Sequence, residues 1–317
     1  GRNQQLLRFD YEKKGYIGKY TEDKMFNVIV QKIEEMDAVI ISDYAKGVIT
    51  KTLMEKLIAK NDAVIHLAGI VGDSCPNNPK SAQKINVDAT EKIAKFCNQV
   101  EKRLIFMSTC SVYGFNEKTC TEETELNPLN AYSDHKVLGE NVIKYNSNNH
   151  LIFRLGTVYG WSPRMRFDLG INLFIEKSLW KEEIQVYGGN QWRPVIHVKD
   201  AAKGLVMAVE AWDLNTTLNL VGENHLVLDL AKQIGSAQTQ LRQKIREERE
   251  FLTGHISEAT KLDFDTACEL IFRLFDEMRV YCETQSTLAA EQHHYERQRI
   301  TFSTKMNPVG ALITGLR

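Results

Sequence analysis

Short apolar runs alternate with longer amphipathic stretches through the first two thirds of the chain. Runs of strand length occupy residues 37–42, 62–67, 104–108 and 151–155. Stretches with the spacing of helices that bury one face occupy residues 22–36, 50–60, 86–100 and 132–146. Strands that alternate with helices are typical of a parallel sheet with helices on both faces. The pattern therefore predicts an α/β fold with a doubly wound, Rossmann-like parallel sheet.

The pattern changes after about residue 235. Residues 238–250 are very polar and favour helix, and apolar side chains then mark one helical face at Ala267, Leu270, Ile271, Leu274, Phe275 and Met278. No further strand is predicted, and a loop is expected near Pro308. The chain is therefore divided into residues 1–60, a core of residues 61–235, and a helical extension of residues 236–317.

Net charge, the length of the apolar runs and the cysteine spacing argue against several classes of protein. The formal net charge is −1 and the pI is about 6.8, so no basic surface for nucleic acid is indicated. The apolar runs have the length of strands, which predicts no membrane span. The 6 cysteines include no CxxC pair and no accompanying His cluster. Neither a metal site nor a disulfide framework is therefore expected. The sequence instead predicts reduced thiols in a cytoplasmic protein.

A Tyr-Lys pair begins the predicted helix 132–146. Tyr132 and Lys136 are separated by four positions, which places both side chains on one helical face. A nearby cation stabilises a phenolate and lowers the phenol pKa from its free value of about 10. The pair can therefore form a proton-transfer group, although such a pair on a solvated helix face is also common.

Further motifs surround this pair in a fixed order. They are VIHLAG at residues 64–69, INVDAT at 85–90, STCSVYG at 108–114, FRLGTVYG at 153–160 and QWRPVIHVKD at 191–200. In order and spacing, residues 61–235 resemble the extended short-chain dehydrogenase/reductase family, in its NAD-dependent nucleotide-sugar epimerase/dehydratase branch. The resemblance implies NAD as cofactor and a nucleotide-sugar as substrate. It also implies a homodimer formed through helices 86–100 and 132–146.

The resemblance assigns roles residue by residue. Tyr132 would be the catalytic acid/base, and Lys136 would lower its pKa and hold the nicotinamide ribose. Thr109 would bond the reacting sugar oxygen. Cofactor contacts would come from Leu67, Ala68, Gly69 and Asn86, and substrate contacts from Asn172 and Arg193.

Structural alternatives stand beside these roles. Thr109 could cap a strand end, Asn86 could hold a loop, and Arg193 could form a surface ion pair. His66 and His197 are expected to be satisfied core histidines. Cys110 is expected to be a small buried side chain and not a nucleophile.

The glycine-rich first βα unit of this fold is missing from its usual place. That unit brings backbone N–H groups and a helix N-terminus to the cofactor pyrophosphate. The nearest match is Gly15-Tyr-Ile-Gly18, which has no apolar strand before it. A phosphate contact from Lys46, in the turn after strand 37–42, is a further hypothesis, and Asp43 would oppose it.

Residues 1–60 resemble a different family. RNQQLLRFD at residues 2–10 and AVIISDYAKGV at 38–48 resemble the ribokinase-like heptose-phosphate kinases of ADP-heptose synthesis. The Gly-Ala-Gly-Asp loop of those kinases does not occur in the sequence, so kinase activity is not expected.

Three functional hypotheses follow. The chain is an NAD-dependent nucleotide-sugar epimerase or dehydratase, an inactive sugar-nucleotide-binding remnant unable to hold NAD, or a chimera without selected function. Cys110 and Ser111 follow Thr109 where dehydratases carry an acid–base pair, which favours an epimerase or reductase.

Overall fold

The computed structural model describes residues 15–43, 46–72, 74–162, 166–179 and 183–237, and the backbone of 311–316. The sequence also predicts a strand-like stretch at residues 5–11, which lies outside the described residues. The expected helices at 238–250 and 267–278 lie outside them as well. Among those described, no helix has both the length and the apolar character needed to cross a bilayer.

A parallel sheet forms the centre of the described structure. Its strands are β1 (Ala38–Asp43), β2 (Ala63–His66), β3 (Arg103–Thr109), β4 (His150–Leu155), β7 (Thr216–Leu220) and β9 (Ala311–Leu316). Their order in space is β1, β9, β2, β3, β4, β7, and every described pairing is parallel. β2, β3 and β4 are almost wholly buried, as expected for strands covered on both faces. The predicted α/β fold is confirmed.

The prediction that no strand follows residue 235 is wrong. β9 lies between β1 and β2, pairing Ala38 with Ala311 on one side and Ala63 with Ala311 on the other. The strands predicted at 37–42 and 62–67 are therefore parallel but not neighbours. A short apolar run such as 311–316 cannot be distinguished from a buried turn of helix by periodicity, because it is too short.

Helices cover both faces of the sheet. They are α1 (Lys19–Ile33), α2 (Lys51–Lys60), α3 (Ser74–Asn77), α4 (Pro79–Gln83), α5 (Ala89–Gln99), α6 (Ala131–Asn146), α7 (Gly170–Leu179), α8 (Val198–Glu210) and α9 (227–237). Apolar residues of α1, α2, α5 and α6 pack with Ile41, Val64 and Leu104 on one face. Ala208 and Val209 of α8 pack on the other face.

A smaller sheet begins where β4 ends. It contains β5 (Thr157–Tyr159), β6 (Trp192–His197) and β8 (Glu223–Leu226), with β6 antiparallel to β8. α7 and α9 pack on it through a cluster that includes Ile175, Val195 and Ile234. This layer carries the segments that hold Asn172 and Arg193.

The two core histidines expected from the sequence are confirmed. His66 is 1% exposed, and its Nε2 lies 2.9 Å from Thr90 Oγ1, which itself donates to the Asn86 carbonyl. His197 is buried and its Nδ1 accepts from the Lys199 N–H at 3.3 Å, capping α8. Both rings therefore have structural partners.

The burial of His66 is expected to make the folded protein less stable in mild acid. Burial, followed by the charge of Lys136, lowers the pKa of His66 to about 3. The unfolded chain takes up the proton below about pH 6.5 and the folded chain does not, so this contribution is complete above pH 6.5 and falls with pH. We expect the unfolding free energy to drop by about 2 kcal/mol from pH 6.5 to 5 on this account. Urea unfolding of the protein and of His66→Gln at both pH values measures it, and an identical pH dependence in the two proteins would contradict it.

Candidate active site

The first turn of α6 carries Tyr132 and is fixed by a reciprocal cap. The Ser133 N–H donates to Asn130 Oδ1 at 2.9 Å, and the Asn130 N–H donates to Ser133 Oγ at 3.3 Å. This capping box satisfies two backbone donors at the start of the helix. Tyr132 is thereby held next to the helix start, with Lys136 one turn further on.

Lys136 is buried against β3. The side chain is 5% exposed, and its Nζ donates to the Met107 carbonyl at 2.6 Å. Gly139 allows α6 to lie close to β3, because a Cβ added at this position would lie 3.0 Å from Phe106 Cζ. Burial lowers the pKa of Lys136 to about 8, opposed by Cys75 and Glu140. The ammonium is therefore mostly charged at neutral pH.

Tyr132 has an unfavourable environment for its phenolate. Burial raises the pKa of Tyr132 to about 12, and the positive charge of Arg166 opposes this rise. Lys136 Nζ lies 5.9 Å from the Tyr132 ring centroid. In this state the cation that acts on the phenol is Arg166, which the sequence did not indicate, and burial outweighs its effect.

The turn after β2 forms a cradle beside Lys136. The Ile70 N–H donates to Asn86 Oδ1 at 2.7 Å, and Asn86 Nδ2 donates to the Ile70 carbonyl at 2.9 Å. An added Cβ on Gly69 would lie 3.3 Å from Asn86 Oδ1 and 3.8 Å from Lys136 Nζ. Leu67 is 40% exposed at the strand end, and Ala68 is half-buried. Asn86 thus holds the loop, and Gly69 leaves space next to the ammonium.

Thr109 lies at the end of β3 and begins a 3₁₀ turn over Cys110–Tyr113. Its Oγ1 accepts from the Ser111 N–H at 3.2 Å and donates to Ser111 Oγ at 3.1 Å. Burial raises the pKa of Cys110 to about 12, and its thiol donates to the Arg154 carbonyl. The thiol is therefore protonated at neutral pH and unsuited to nucleophilic attack.

Asn172 and Arg166 lie on the same side of the site as Tyr132. Asn172 is 4% exposed, and its Nδ2 donates to the Arg166 carbonyl at 3.0 Å, while its buried Oδ1 has no hydrogen-bond partner. Arg166 pairs with Asp168 at 2.5 Å, and an added Cβ on Gly72 would lie 3.7 Å from Arg166 Nη2. A buried acceptor without a donor is unfavourable, so Asn172 is suited to receive a ligand hydroxyl.

Arg193 stands apart from this group. It is exposed, and its Nη2 donates to Gln191 Oε1 at 2.7 Å. A cleft of about 430 Å³ is lined by Cys110, Tyr113, Asn219 and, from β6, Trp192 and Pro194. Because side chains alternate along a strand, Arg193 faces away from this cleft.

A buried ion pair between Arg154 and Glu140 lies next to the site residues. Arg154 on β4 donates to Glu140 on α6 at 2.8 Å, and Ser108 donates to the same carboxylate at 2.6 Å. Arg154 also donates to Tyr113 Oη at 3.0 Å, and Tyr113 donates to Asn219 Oδ1 at 2.7 Å. The motifs around Thr109, Lys136 and β4 are therefore tied together by charge as well as by packing.

Comparison with known families gives one match over most of the described chain. Residues 17–220 match the profile of the NAD dependent epimerase/dehydratase family. The match begins at residue 17, well before residue 61, where the sequence analysis placed the start of the resemblance. It therefore includes α1, β1 and α2.

Individual proteins agree with this match. The uncharacterized UDP-glucose epimerase YtcB of Bacillus subtilis is 28% identical over 233 residues, which are 68% of this chain and 73% of that protein. A mutant UDP-glucuronic acid 4-epimerase from Bacillus cereus, solved with UDP-4-deoxy-4-fluoro-glucuronic acid and NAD, is 27% identical with a TM-score of 0.54. That likeness covers 59% of this chain and 62% of the enzyme, so this chain spans less than two thirds of it.

One further relative matches only a short part of this chain. The bifunctional protein HldE of a Nitratiruptor species is 40% identical over 63 residues, which are 20% of this chain and 14% of that protein.

Proposed function

Because this chain belongs to the NAD-dependent epimerase/dehydratase family, we propose that it transforms a nucleotide-sugar by reversible oxidation of a sugar hydroxyl. The observation that carries the proposal is the buried, charged Lys136 beside the Gly69 cradle, one helical turn from Tyr132. UDP-sugars are the substrate class that we assign, since the relatives named above are UDP-sugar epimerases.

The residues around Lys136 fit NAD. Gly69 leaves open the volume that a side chain would fill, and Asn86 holds the loop around it in place. Lys136 would hold the nicotinamide ribose, and Leu67, Ala68 and Gly69 would line the cofactor. When bound, NAD supplies the acceptor for a hydride from the sugar carbon.

Tyr132 is assigned the proton transfer. Its Oη would take the proton of the sugar hydroxyl as the carbon loses hydride, and would return it in the reverse step. With a pKa of about 12 in the ligand-free state, the phenol is too weak an acid to be ionised at neutral pH. The charges of Lys136 and Arg166 therefore have to stabilise the phenolate once ligands exclude water, because exclusion of water strengthens charge–charge interactions.

The sugar side is assigned to Thr109, Asn172 and Arg166. The Thr109 hydroxyl, which donates a hydrogen bond to Ser111 Oγ in this structure, would instead donate one to the reacting oxygen of the sugar. The unpaired Oδ1 of Asn172 would accept from a substrate hydroxyl. Arg193 is assigned to the diphosphate on its motif alone, since charge-assisted paired hydrogen bonds suit Arg to that group.

Within the family, an epimerase is favoured over a dehydratase. Cys110 and Ser111 follow Thr109, and the pKa of Cys110 is raised to about 12 by burial. A protonated thiol and a hydroxyl do not provide the acid–base pair that elimination of water requires.

Two further assignments complete the proposal. Residues 1–60 would derive in part from a heptose-phosphate kinase, a proposal that rests on the sequence SDYAKG at 42–47, and no kinase chemistry is assigned to them. A homodimer would form through α5 and α6, whose outer surface exposes Leu138.

Lys136→Met tests the cofactor assignment. Met keeps the length and apolar stem but loses the charge, so we expect NAD to bind about tenfold more weakly or worse. Isothermal titration calorimetry with NAD measures it, with Lys95→Met as control, because Lys95 is an exposed lysine paired with Glu91 on α5. An equal dissociation constant in Lys136→Met and Lys95→Met would refute the assignment, and no binding by the unaltered chain would favour the inactive remnant.

A further inference from the structure

The cleft beside the 3₁₀ turn that follows β3 has no part in the proposed function. Its volume is about 430 Å³, which lies in the range of pockets that bind small molecules. Cys110 and Tyr113 line it, whereas Tyr132, Lys136 and Asn172 do not. The cleft therefore adjoins the candidate active site without containing the residues to which the chemistry is assigned.

One side of the cleft is a face of the small sheet. Pro194 of β6 pairs with Asn224 of the antiparallel β8, so their side chains share a face, and Trp192 lies on the same face two positions along β6. All three line the cleft. Trp192 is 65% exposed, so a flat, mainly apolar indole ring is open to a ligand. The Asn224 side chain has no hydrogen-bond partner in the part of the chain that the structure describes, which leaves both its amide donor and its acceptor available.

The other side of the cleft comes from residues 114–120, which are held at both ends. Gly114 has a φ of +66°, and a Cβ added there would overlap the Asn127 carbonyl oxygen, so the chain needs glycine where it leaves the 3₁₀ turn. Just beyond residue 120, Glu122 Oε1 accepts from the Asn219 N–H at 2.7 Å, at the carboxyl end of β7. These two attachments place residues 114–120 next to the sheet face.

This segment contributes one charge of each sign. Glu117 and Lys118 both line the cleft and are exposed. Within the described residues, neither side chain has an ion-pair or hydrogen-bond partner. A carboxylate accepts hydrogen bonds from ribose hydroxyls, and an ammonium binds phosphate. Together with the indole and the amide, the cleft thus offers a group for each part of a nucleotide.

We infer that this cleft binds an adenine nucleotide, at a site separate from the one proposed for NAD and the nucleotide-sugar. The adenine ring stacks on the Trp192 indole, and the Asn224 amide pairs with its edge, donating to N7 and accepting from the N6 amino group. Glu117 accepts from the ribose hydroxyls, and Lys118 contacts the phosphate.

The test is calorimetric titration of the full chain with AMP in the presence of excess NAD and UDP, which compete for the sites of the proposed function. We expect AMP to bind, and Trp192→Ala to weaken its binding by about tenfold or more, because the stacking surface is lost. Tyr187→Ala is the matched control, since Tyr187 is an aromatic side chain 84% exposed that does not line the cleft. Thermal unfolding of each variant verifies that it is folded.

Two further variants separate the parts of the nucleotide. Lys118→Met should weaken the binding of AMP by about tenfold and leave that of adenosine unchanged, because only AMP carries a phosphate. IMP has an oxygen in place of the N6 amino group, so the unaltered chain should prefer AMP, and Asn224→Leu should remove this preference. A general disturbance of the fold would weaken all three ligands alike.

The outcomes that overturn the inference are specific to the cleft. They are the absence of AMP binding, equal dissociation constants for AMP in Trp192→Ala and Tyr187→Ala, and equal binding of AMP and IMP by the unaltered chain. Weakened AMP binding in Trp192→Ala with unchanged NAD binding would support the site whether or not the chain turns over a nucleotide-sugar. The inference and the proposed function therefore fail independently.

Discussion

Tyr132→Phe is expected to lower turnover by about 10²–10⁴-fold while NAD binding changes little. Phe keeps the ring that packs at the start of α6 and removes only the Oη that exchanges the proton. Lys136, with its bond to the Met107 carbonyl, is left in place, so the cofactor side should be intact. Initial rates of UDP-sugar interconversion, followed by chromatography, and calorimetry with NAD measure the two effects.

Tyr145→Phe is the matched control for that experiment. Tyr145 lies on the same helix and is 90% exposed, so removal of its hydroxyl should leave the rate unchanged. A Tyr132→Phe protein that binds NAD and turns over at the unaltered rate would remove Tyr132 from the mechanism. A parallel loss in Tyr145→Phe would show that the assay responds to α6 as a whole.

Glu140→Gln is expected to destabilise the fold by about 3–5 kcal/mol, because it leaves the Arg154 charge buried without its counter-charge. Glu140 is 0% exposed and Arg154 is 3% exposed. Burial alone would raise the pKa of Glu140, but hydrogen bonds from Arg154 and Ser108 lower it below its ordinary value. The carboxylate is therefore ionised in the folded protein. Gln fills almost the same volume, so the expected loss is electrostatic and not a cavity effect.

A double-mutant cycle isolates this pair. Glu140→Gln, Arg154→Met and the double variant are compared by urea unfolding, and the double variant should be clearly more stable than additivity predicts. Arg154→Met also removes the bonds to Tyr113 Oη and to the Glu122 carbonyl, so it should cost stability even alone. Additive losses would show that the two charges do not depend on each other.

Local sequence was sufficient for the parts of the fold whose signal lies within one element. The apolar runs at 104–108 and 151–155 became β3 and β4, and the amphipathic stretch at 132–146 became α6. The four-residue spacing of Tyr132 and Lys136 placed both on one helical face, as helix geometry requires. The ordered motifs likewise indicated the family, which the match over residues 17–220 confirms.

Properties that depend on two distant segments were decided by the tertiary structure. Arg166 acts on the Tyr132 phenol although nothing in its local sequence marks it, because charge acts through space. Asn86 is a loop support through its bonds to Ile70, a distinction that residue type alone left open.

The position of β9 in the main sheet shows the same division most clearly. The sequence by itself determined that Gly15–Gly18 precede a helix and that no apolar strand precedes them. Only the sheet revealed that β9 pairs with β1 and β2 at once and lies between them. Strand neighbours are selected by hydrogen bonding and burial in three dimensions, and order along the chain does not specify them.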